Sequence, residues 1–308
     1  MKILLTGGSG MVGKNILNFC ESSDFNFLHP TRAELDLLNP VSVNEYLKKN
    51  KPDVVIHSAG KVGGIQANIR EPVSFLYENS LMGLNLIYSS NLVGIPNFLN
   101  LGSSCMYPKD AKNPLTEEQI LTGELEPTNE GYAISKITSA KLCEYIVKEN
   151  PKQNYKTIIP CNLYGLYDEF SPRSSHLVPA IIVKTINAID NREDSIQIWG
   201  DGESRREFMF ASDLADFIFF ALQNIQKLPN FLNVGLGYDY SINEYYREVA
   251  DVLGFNGSFE YDLSKPSGMQ QKLTNIEKVS KLGWRAPSSL NDGLVKTIKY
   301  YKEDVING

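Results

Sequence analysis

The feature that most constrains this chain is the spacing of glycines near its start. Gly7, Gly10 and Gly13 lie between a short apolar run at residues 3–5 and a helical pattern that begins at residue 11. Glycines between a first strand and a helix permit a tight turn and let the backbone approach a pyrophosphate at the helix N-terminus. The pattern predicts a dinucleotide site. Its predicted contacts in this loop are Gly7, Gly10, Met11, Val12 and Gly13.

Strand and helix patterns then alternate along the first half of the chain. The strand patterns fall at residues 3–5, 25–28, 53–57, 98–101 and 157–159, and the helical patterns at 11–20, 41–49, 72–92 and 130–148. Apolar strands that alternate with helices predict a parallel sheet covered on both faces, an α/β fold of the Rossmann-type, doubly wound class.

The alternation weakens after Gly165, where further helical patterns occur at residues 177–188, 213–222, 242–253 and 290–301. We predict a nucleotide-binding domain at 1–165, with a return segment at about 208–235. A smaller α/β substrate domain would comprise 166–207 and 236–308.

Composition excludes several classes of protein. The 308 residues carry a formal net charge of −6, which argues against non-specific binding to nucleic acid or to an anionic membrane. No run of 18 apolar residues and no leader pattern is present, so we expect a cytoplasmic protein. The three histidines are far apart and the four cysteines form no C-x-x-C pair, so we expect no metal site and no disulfide framework.

The residues after the second strand pattern bear on the choice between NAD and NADP. Arg32 could pair with the extra 2′-phosphate of NADP as a charge-assisted contact. Glu34 competes, because it lies about 20 residues past the glycines, where an NAD enzyme has its acid. We favour NADP, with Asp36 and Leu37 near the adenine.

Tyr132 and Lys136 are four residues apart in a helical pattern, so they share a face. An ammonium beside a phenol is expected to lower the pKa of the tyrosine and make it a usable general acid for a ketone. Ser103 ends the preceding strand pattern and could orient the carbonyl. A second Y-x-x-x-K, at Tyr261 and Lys265, lies outside the alternating region and is interpreted as coincidental.

The order of these motifs resembles that of the extended short-chain dehydrogenase/reductase superfamily and, more closely, the GDP-L-fucose synthase family. The resemblance extends over essentially the whole chain. The matching segments are 61–65 (KVGGI), 102–108 (GSSCMYP), 126–130 (EPTNE), 132–136 (YAISK), 162–165 (NLYG), 175–180 (SHLVPA), 199–200 (WG) and 206–208 (REF). The segments at 61–65 and around Cys105 are specific to the family rather than to the superfamily.

The resemblance implies NADPH-dependent chemistry on a GDP-4-keto-6-deoxy sugar: epimerisation at the two carbons beside the ketone, then reduction at C4. Ser103, Tyr132 and Lys136 match the family's reductive triad. Cys105 and His176 match the residues that move protons in epimerisation, roles that a thiol and an imidazole can fill near neutral pH. The remaining cysteines and histidines are interpreted as packing residues.

Further contacts follow from the same resemblance. Relatives form homodimers by packing two long helices per subunit, which residues 72–92 and 130–148 would supply, although a face buried within one chain explains the same pattern. Trp199 could also be a core residue. The implied cofactor contacts are Ala59, Lys136, Asn162, Leu163, Tyr164, Gly165 and His176, and the implied substrate contacts are Ser104, Lys184, Trp199, Arg206 and Lys272.

The chain departs from the family pattern in its second half. Ser267 and Gln271 stand where an acid and an arginine are expected, residues 210–213 replace a more polar run, and Gly165 lacks the usual following proline. These departures leave open a C4 reductase without epimerase activity that acts on a different GDP-4-keto sugar, such as a heptose. A nucleotide-sugar 4-epimerase and a non-catalytic dinucleotide-binding protein are further alternatives. A 4,6-dehydratase is disfavoured, because Cys105-Met106 occupies the place of its acidic residues.

Overall fold

The computed structural model describes residues 1–19, 25–171, 175–264 and 269–306. The strands are β1 (Lys2–Thr6), β2 (Asn26–Leu28), β3 (Val54–His57), β4 (Asn97–Leu101), β5 (Asn154–Pro160), β6 (Asn162–Tyr164), β7 (Ser195–Trp199), β8 (Arg205–Arg206), β9 (Phe208–Phe210), β10 (Phe231–Val234), β11 (Tyr240–Ser241), β12 (Ser258–Asp262) and β13 (Gln271–Lys272). The helices are α1 (Met11–Phe19), α2 (Pro40–Asn50), α3 (Ile65–Arg70), α4 (Pro72–Val93), α5 (Glu130–Glu149), α6 (Leu177–Asn191), α7 (Ala211–Asn224), α8 (Ile242–Leu253), α9 (Glu277–Lys281) and α10 (Leu290–Tyr300).

A six-stranded parallel sheet in the order β10-β5-β4-β3-β1-β2 forms the centre of the molecule. The chain leaves β1 toward β2 on one side and reaches β3 on the other, which is the strand reversal of a doubly wound sheet. The predicted Rossmann-type α/β fold is therefore confirmed.

Both faces of the sheet are covered, as the apolar strands require. Alternate strand residues point to opposite faces, so Leu5 and Ile56 pack with α1 and α7, whereas Leu4 and Val55 pack with α2, α4 and α5. All four of these side chains have no exposed surface or almost none. The sheet is thus fixed from both sides, and the loops at its carboxyl edge start from rigid positions.

A second core forms beyond the carboxyl edge. It packs residues of α6, α8 and α10 against β7 and β9, with β7 paired to β12 and β6 paired to β9 in parallel. The division at residue 165 stays a prediction. The first core is the one on the α1 and α7 face of the central sheet. Val279 and Trp284 pack in it, with α7 and β10, although the predicted boundary assigns them to the second domain.

The buried carboxylate of Glu207 ties several distant segments together between the two cores. Its Oε1 accepts hydrogen bonds from the N–H groups of Leu236 at 2.6 Å and Gly237 at 2.9 Å. Its Oε2 accepts bonds from the N–H at 2.8 Å and the hydroxyl at 2.7 Å of Thr274. Four donors compensate the burial of this charge, even though burial raises its pKa.

None of the helices in the described ranges combines the length and the apolar character needed to cross a membrane.

Candidate active site

A cavity of about 870 Å³ opens at the carboxyl edge of the sheet, beside the strand reversal. Loops that follow β1, β2, β3 and β4 form its walls, together with the first residues of β6. Open α/β sheets bind their ligands at this edge, because the loops on either side of the reversal separate there and leave a crevice.

The glycine loop has the shape that a bound pyrophosphate needs. Gly7 has a φ of +76°, and a Cβ on it would lie 2.6 Å from the backbone nitrogen of Ala59. A Cβ on Gly13 would lie 2.2 Å from the Gly7 carbonyl oxygen, so both positions require glycine for packing. A Cβ on Gly10 would meet only that same oxygen, at 3.5 Å, so the space above Gly10 is open at the start of α1. The loop therefore fits a dinucleotide.

Arg32 and Glu34, the two residues that bear on the choice between NADP and NAD, lie in different environments. Arg32 is exposed and lines the cavity, with Asp36 and Leu37 beside it. The Glu34 carboxylate turns back onto Thr31, accepting hydrogen bonds from its N–H at 2.8 Å and its hydroxyl at 2.9 Å, and it does not line the cavity. These bonds hold the pKa of Glu34 below its usual range. The cavity wall after β2 therefore carries the Arg32 guanidinium and not the Glu34 carboxylate.

Ser103, Tyr132 and Lys136 also line this cavity. Ser103 follows β4, while Tyr132 and Lys136 lie one turn apart on α5. The Lys136 ammonium donates a hydrogen bond of 2.9 Å to the Leu101 carbonyl and lies 5.7 Å from the centre of the Tyr132 ring. The structure thus brings together three residues that lie up to 33 positions apart in the sequence.

The protonation states of this group differ from the prediction. Burial raises the pKa of Tyr132 well above its ordinary value, and burial lowers the pKa of Lys136 to about 8. The prediction that Lys136 lowers the pKa of Tyr132 is therefore wrong: desolvation raises this pKa, and the nearby Cys105 thiolate raises it further. The phenol is protonated at neutral pH, which is the state in which it can donate a proton to a ketone oxygen.

Cys105 lies next to this group but does not line the cavity, and only 6% of its surface is exposed. Burial raises the pKa of its thiol, while Lys272, the Ser103 hydroxyl and Lys136 act in the opposite direction. His176 lines the cavity at the start of α6, and desolvation lowers the pKa of its imidazole. The two predicted proton-transfer residues are thus near one site, on different elements.

The remaining predicted cofactor contacts divide into two groups. Ala59, Asn162 and Leu163 line the cavity. Tyr164 and Gly165 do not, because the Tyr164 ring is buried in the second core and its hydroxyl donates to the Leu290 carbonyl at 3.2 Å. Of the segment 162–165, implied to contact the cofactor, the structure therefore places only the first two residues on the cavity wall.

Of the predicted substrate contacts, Ser104 lines the cavity and the other four lie outside it, on the second core's side. The Lys184 ammonium lies 5.3 Å from the centre of the Trp199 ring, and 56% of Trp199 is exposed, so Trp199 is not a core residue. Arg206 and Lys272 are paired positions of the neighbouring strands β8 and β13. These residues form two positively charged groups outside the cavity lining.

The residues that depart from the family pattern form hydrogen bonds or pack within the structure. Gln271 donates a hydrogen bond of 2.6 Å to Asp239, whose other carboxylate oxygen binds Arg205 at 2.6 Å. Phe210 is buried in the second core, and Asp213 accepts hydrogen bonds from Ser288. Predictions made for Cys20, Lys265 and Ser267 fall outside the described residues.

The sequence did not reveal a network around Lys61. The Lys61 ammonium binds Glu71 at 2.8 Å and Ser74 at 2.5 Å, and its backbone N–H donates to Asn79 at 2.7 Å. Lys61 and Glu78 both line the cavity. The KVGGI run at 61–65 was a signal that this segment is special, but nothing in the run indicated its partners.

The chain is similar to known proteins over nearly its whole length. Residues 3–235 match the family model for the NAD dependent epimerase/dehydratase family. The chain is 55% identical over 307 residues to a GDP-L-colitose synthase of Yersinia pseudotuberculosis, with 100% of both chains covered. It is 49% identical over 300 residues to a GDP-L-fucose synthase of Azorhizobium caulinodans, with 97% of this chain and 96% of that one covered.

A solved GDP-mannoheptose C4 reductase from Campylobacter jejuni with NADP bound has a TM-score of 0.88 to this chain. The two are 32% identical, and 98% of each chain is covered. On the strength of the matched family model and these relatives, the chain belongs to the NAD dependent epimerase/dehydratase family.

Proposed function

We propose that this protein is an NADPH-dependent enzyme that reduces the C4 ketone of a GDP-4-keto-6-deoxy sugar and couples the reduction to 3,5-epimerisation. One observation carries the proposal: Ser103, Tyr132 and Lys136 line the same cavity as the glycine loop. A cofactor held at the loop would extend toward these three side chains. The two curated relatives, both named as synthases of a GDP-L-sugar, support the same assignment.

NADPH would supply the hydride for this reaction. The N–H groups at the start of α1 and the open space above Gly10 would hold its pyrophosphate, and Arg32 would bind the 2′-phosphate. Asn162 and Leu163 would line the opposite wall of the cofactor site.

In the reduction, Tyr132 holds the proton that the ketone oxygen needs. Its raised pKa keeps that proton on the phenol at neutral pH, and the nearby Lys136 ammonium would stabilise the phenolate that remains after transfer. The Ser103 hydroxyl would donate a hydrogen bond to the same oxygen and orient the carbonyl. These roles use only groups that the cavity presents together.

In the epimerisation, Cys105 and His176 would remove and return protons at the carbons that flank the ketone. Protons beside a ketone are acidic, and inversion requires removal on one face and return on the other. Burial raises the pKa of Cys105 and favours the protonated thiol, although the positive charges of Lys272 and Lys136 act in the opposite direction. The lowered pKa of His176 leaves its imidazole neutral and able to accept a proton.

The GDP part would extend beyond the cavity mouth. Arg206 and Lys272 offer paired cations for the diphosphate, and the exposed Trp199 ring, with Lys184 over it, offers a surface for the base. The reductase-only alternative on a heptose is not favoured, because the curated relatives at 55% and 49% identity carry GDP-L-sugar synthase names, whereas the heptose reductase is 32% identical.

The proposal includes a homodimer formed through α4 and α5. These helices pack on each other and leave large apolar side chains exposed on their outer faces. The exposed residues are Val73, Leu76, Tyr77, Tyr88, Leu92, Ile134 and Tyr145. A cytoplasmic location belongs to the same proposal, since the reaction consumes NADPH.

The test is a reaction in D₂O with NADPH and GDP-4-keto-6-deoxy-mannose, followed by the mass of the nucleotide-sugar product. A reduced product that carries solvent deuterium is expected, because both flanking carbons exchange before hydride transfer. Cys105→Ser should give reduced product with little deuterium, and Tyr132→Phe should permit exchange without reduction. A wild-type product that is reduced but unlabelled would contradict the epimerase roles, and no reduction at all would contradict the proposed substrate.

A further inference from the structure

The turn that carries Ser103 and Cys105 is anchored from its far end by Tyr107. Residues 104–106 form a single 3-10 turn directly after β4, and Tyr107 ends it. The Tyr107 side chain is 3% exposed, and its hydroxyl donates a hydrogen bond of 2.5 Å to Oδ1 of Asn233 in β10. Residue 107 thereby connects the turn to a strand 126 positions away.

Asn233 is a rigid acceptor for this bond. Its Nδ2 donates to the carbonyls of Leu115 at 2.9 Å and Asn275 at 3.3 Å, so its Oδ1 is the atom left to face Tyr107. Its backbone N–H donates to Glu117 at 2.9 Å, and the other oxygen of Glu117 binds Lys278 at 3.0 Å. Buried groups that are fully paired in this way hold one arrangement.

The two ends of the turn are held by different means. At the Ser103 end, the backbone is part of the sheet: the N–H of Gly102 donates to the Ile158 carbonyl at 2.8 Å. Cys105 lies between that anchor and Tyr107, and its backbone N–H donates a hydrogen bond of 3.4 Å to the Ser103 hydroxyl. The Tyr107 bond ties the Cys105 side of the turn to a distant strand, so its loss should let that side shift, while the Gly102 bond keeps the Ser103 side in the sheet.

We propose that Tyr107 is a positioning residue that sets the place of the Cys105 thiol, and with it the epimerisation half of the reaction. This inference rests on the proposed function. It predicts that removal of one hydroxyl group, away from the cavity, separates proton exchange from ketone reduction.

The test compares Tyr107→Phe with Tyr155→Phe. Tyr155 is an equally buried tyrosine whose hydroxyl donates to the Ile95 carbonyl at 3.0 Å, remote from the cavity, so its variant loses the same kind of bond. Exchange is measured as deuterium uptake from D₂O into GDP-4-keto-6-deoxy-mannose with NADP⁺ present. For the reduction assay, wild-type enzyme first brings the keto sugar to its epimerisation equilibrium and is then removed. The variant is added with NADPH, and reduction is measured as NADPH oxidation. Thermal unfolding of each variant verifies the fold.

Tyr107→Phe should lower the exchange rate about tenfold, since a displacement of 1 Å can cost up to 10²-fold, and should keep reduction near the wild-type rate. Tyr155→Phe should keep both rates. Exchange at the wild-type rate in Tyr107→Phe, or an equal fall of exchange and reduction, would overturn the positioning role. Failure of the wild-type protein to exchange or reduce would instead refute the proposed function.

Discussion

Protonation of His57 should make the folded protein less stable as the pH falls. The ring lies at the end of β3 with 3% of its surface exposed, and its Nδ1 forms a hydrogen bond of 2.9 Å with the hydroxyl of Thr6 on the neighbouring strand. Burial, together with the nearby Lys136 ammonium, lowers the pKa of His57 from 6.5 to about 3. The folded protein therefore binds this proton much more weakly than the unfolded chain does.

The sign and size of the effect follow from linkage. Because the folded pKa is depressed, the stabilisation is complete above the unfolded value of 6.5 and is lost as the pH falls toward 3. At about pH 5 the unfolded chain has taken up the proton and the folded protein has not. Since each pKa unit is worth about 1.4 kcal/mol, His57 should lower the free energy of unfolding by about 2 kcal/mol between about pH 7 and about pH 5.

Chemical denaturation at both pH values measures this difference. His57→Asn keeps a polar atom near the position of Nδ1 but does not titrate, so the drop between the two pH values should shrink by about 2 kcal/mol even if the variant is less stable at both. His29→Asn, which removes an exposed histidine, is the control. If wild type and His57→Asn lose the same free energy on acidification, the buried ring is not responsible.

Three further outcomes test the site and its scaffold. Arg32→Ala should weaken NADPH binding by roughly tenfold or more and leave NADH binding unchanged, because a charge-assisted bond is worth about 1.5–3 kcal/mol; equal losses in titration calorimetry would exclude the 2′-phosphate contact. Glu207→Gln should lower the free energy of unfolding by about 1–3 kcal/mol relative to the exposed control Glu260→Gln, since an amide NH₂ would face N–H donors. Equal stability of the two variants would show that the hydrogen bonds to the Glu207 carboxylate do not stabilise the fold. Tyr132→Phe should reduce ketone turnover by about 10²–10⁴-fold with NADPH binding kept, and turnover at the wild-type rate would exclude it as the acid.

Much of the nucleotide-binding half could be predicted, because local chemistry specifies it. The glycines at 7, 10 and 13 lie where a turn must meet a helix, and the periodicity of α5 places Tyr132 and Lys136 on one face. The helix predicted at 130–148 matches α5 to within one residue. In each case the residues that carry the sequence pattern lie within or beside the element that the pattern predicts.

The rest depends on contacts between distant segments. Strands β8 and β13 have two residues each, too short for any alternation to register, and their pairing brings Arg206 beside Lys272. The direction in which the pKa of Tyr132 shifts could not be predicted either, because it is set by how far the fold removes the phenol from water. The Tyr107–Asn233 bond spans 126 positions and leaves no local pattern.

The last strand of the central sheet has a consequence for how the protein is synthesised. β10 pairs with β5 only after the chain has passed through β7, β8 and β9, and α7, which packs on α1, is also made late. A nascent chain that has reached residue 165 therefore has an open edge at β5 and an uncovered face on α1. Translation must therefore proceed past Trp284 before this core has all its members, although its first strand begins at Lys2.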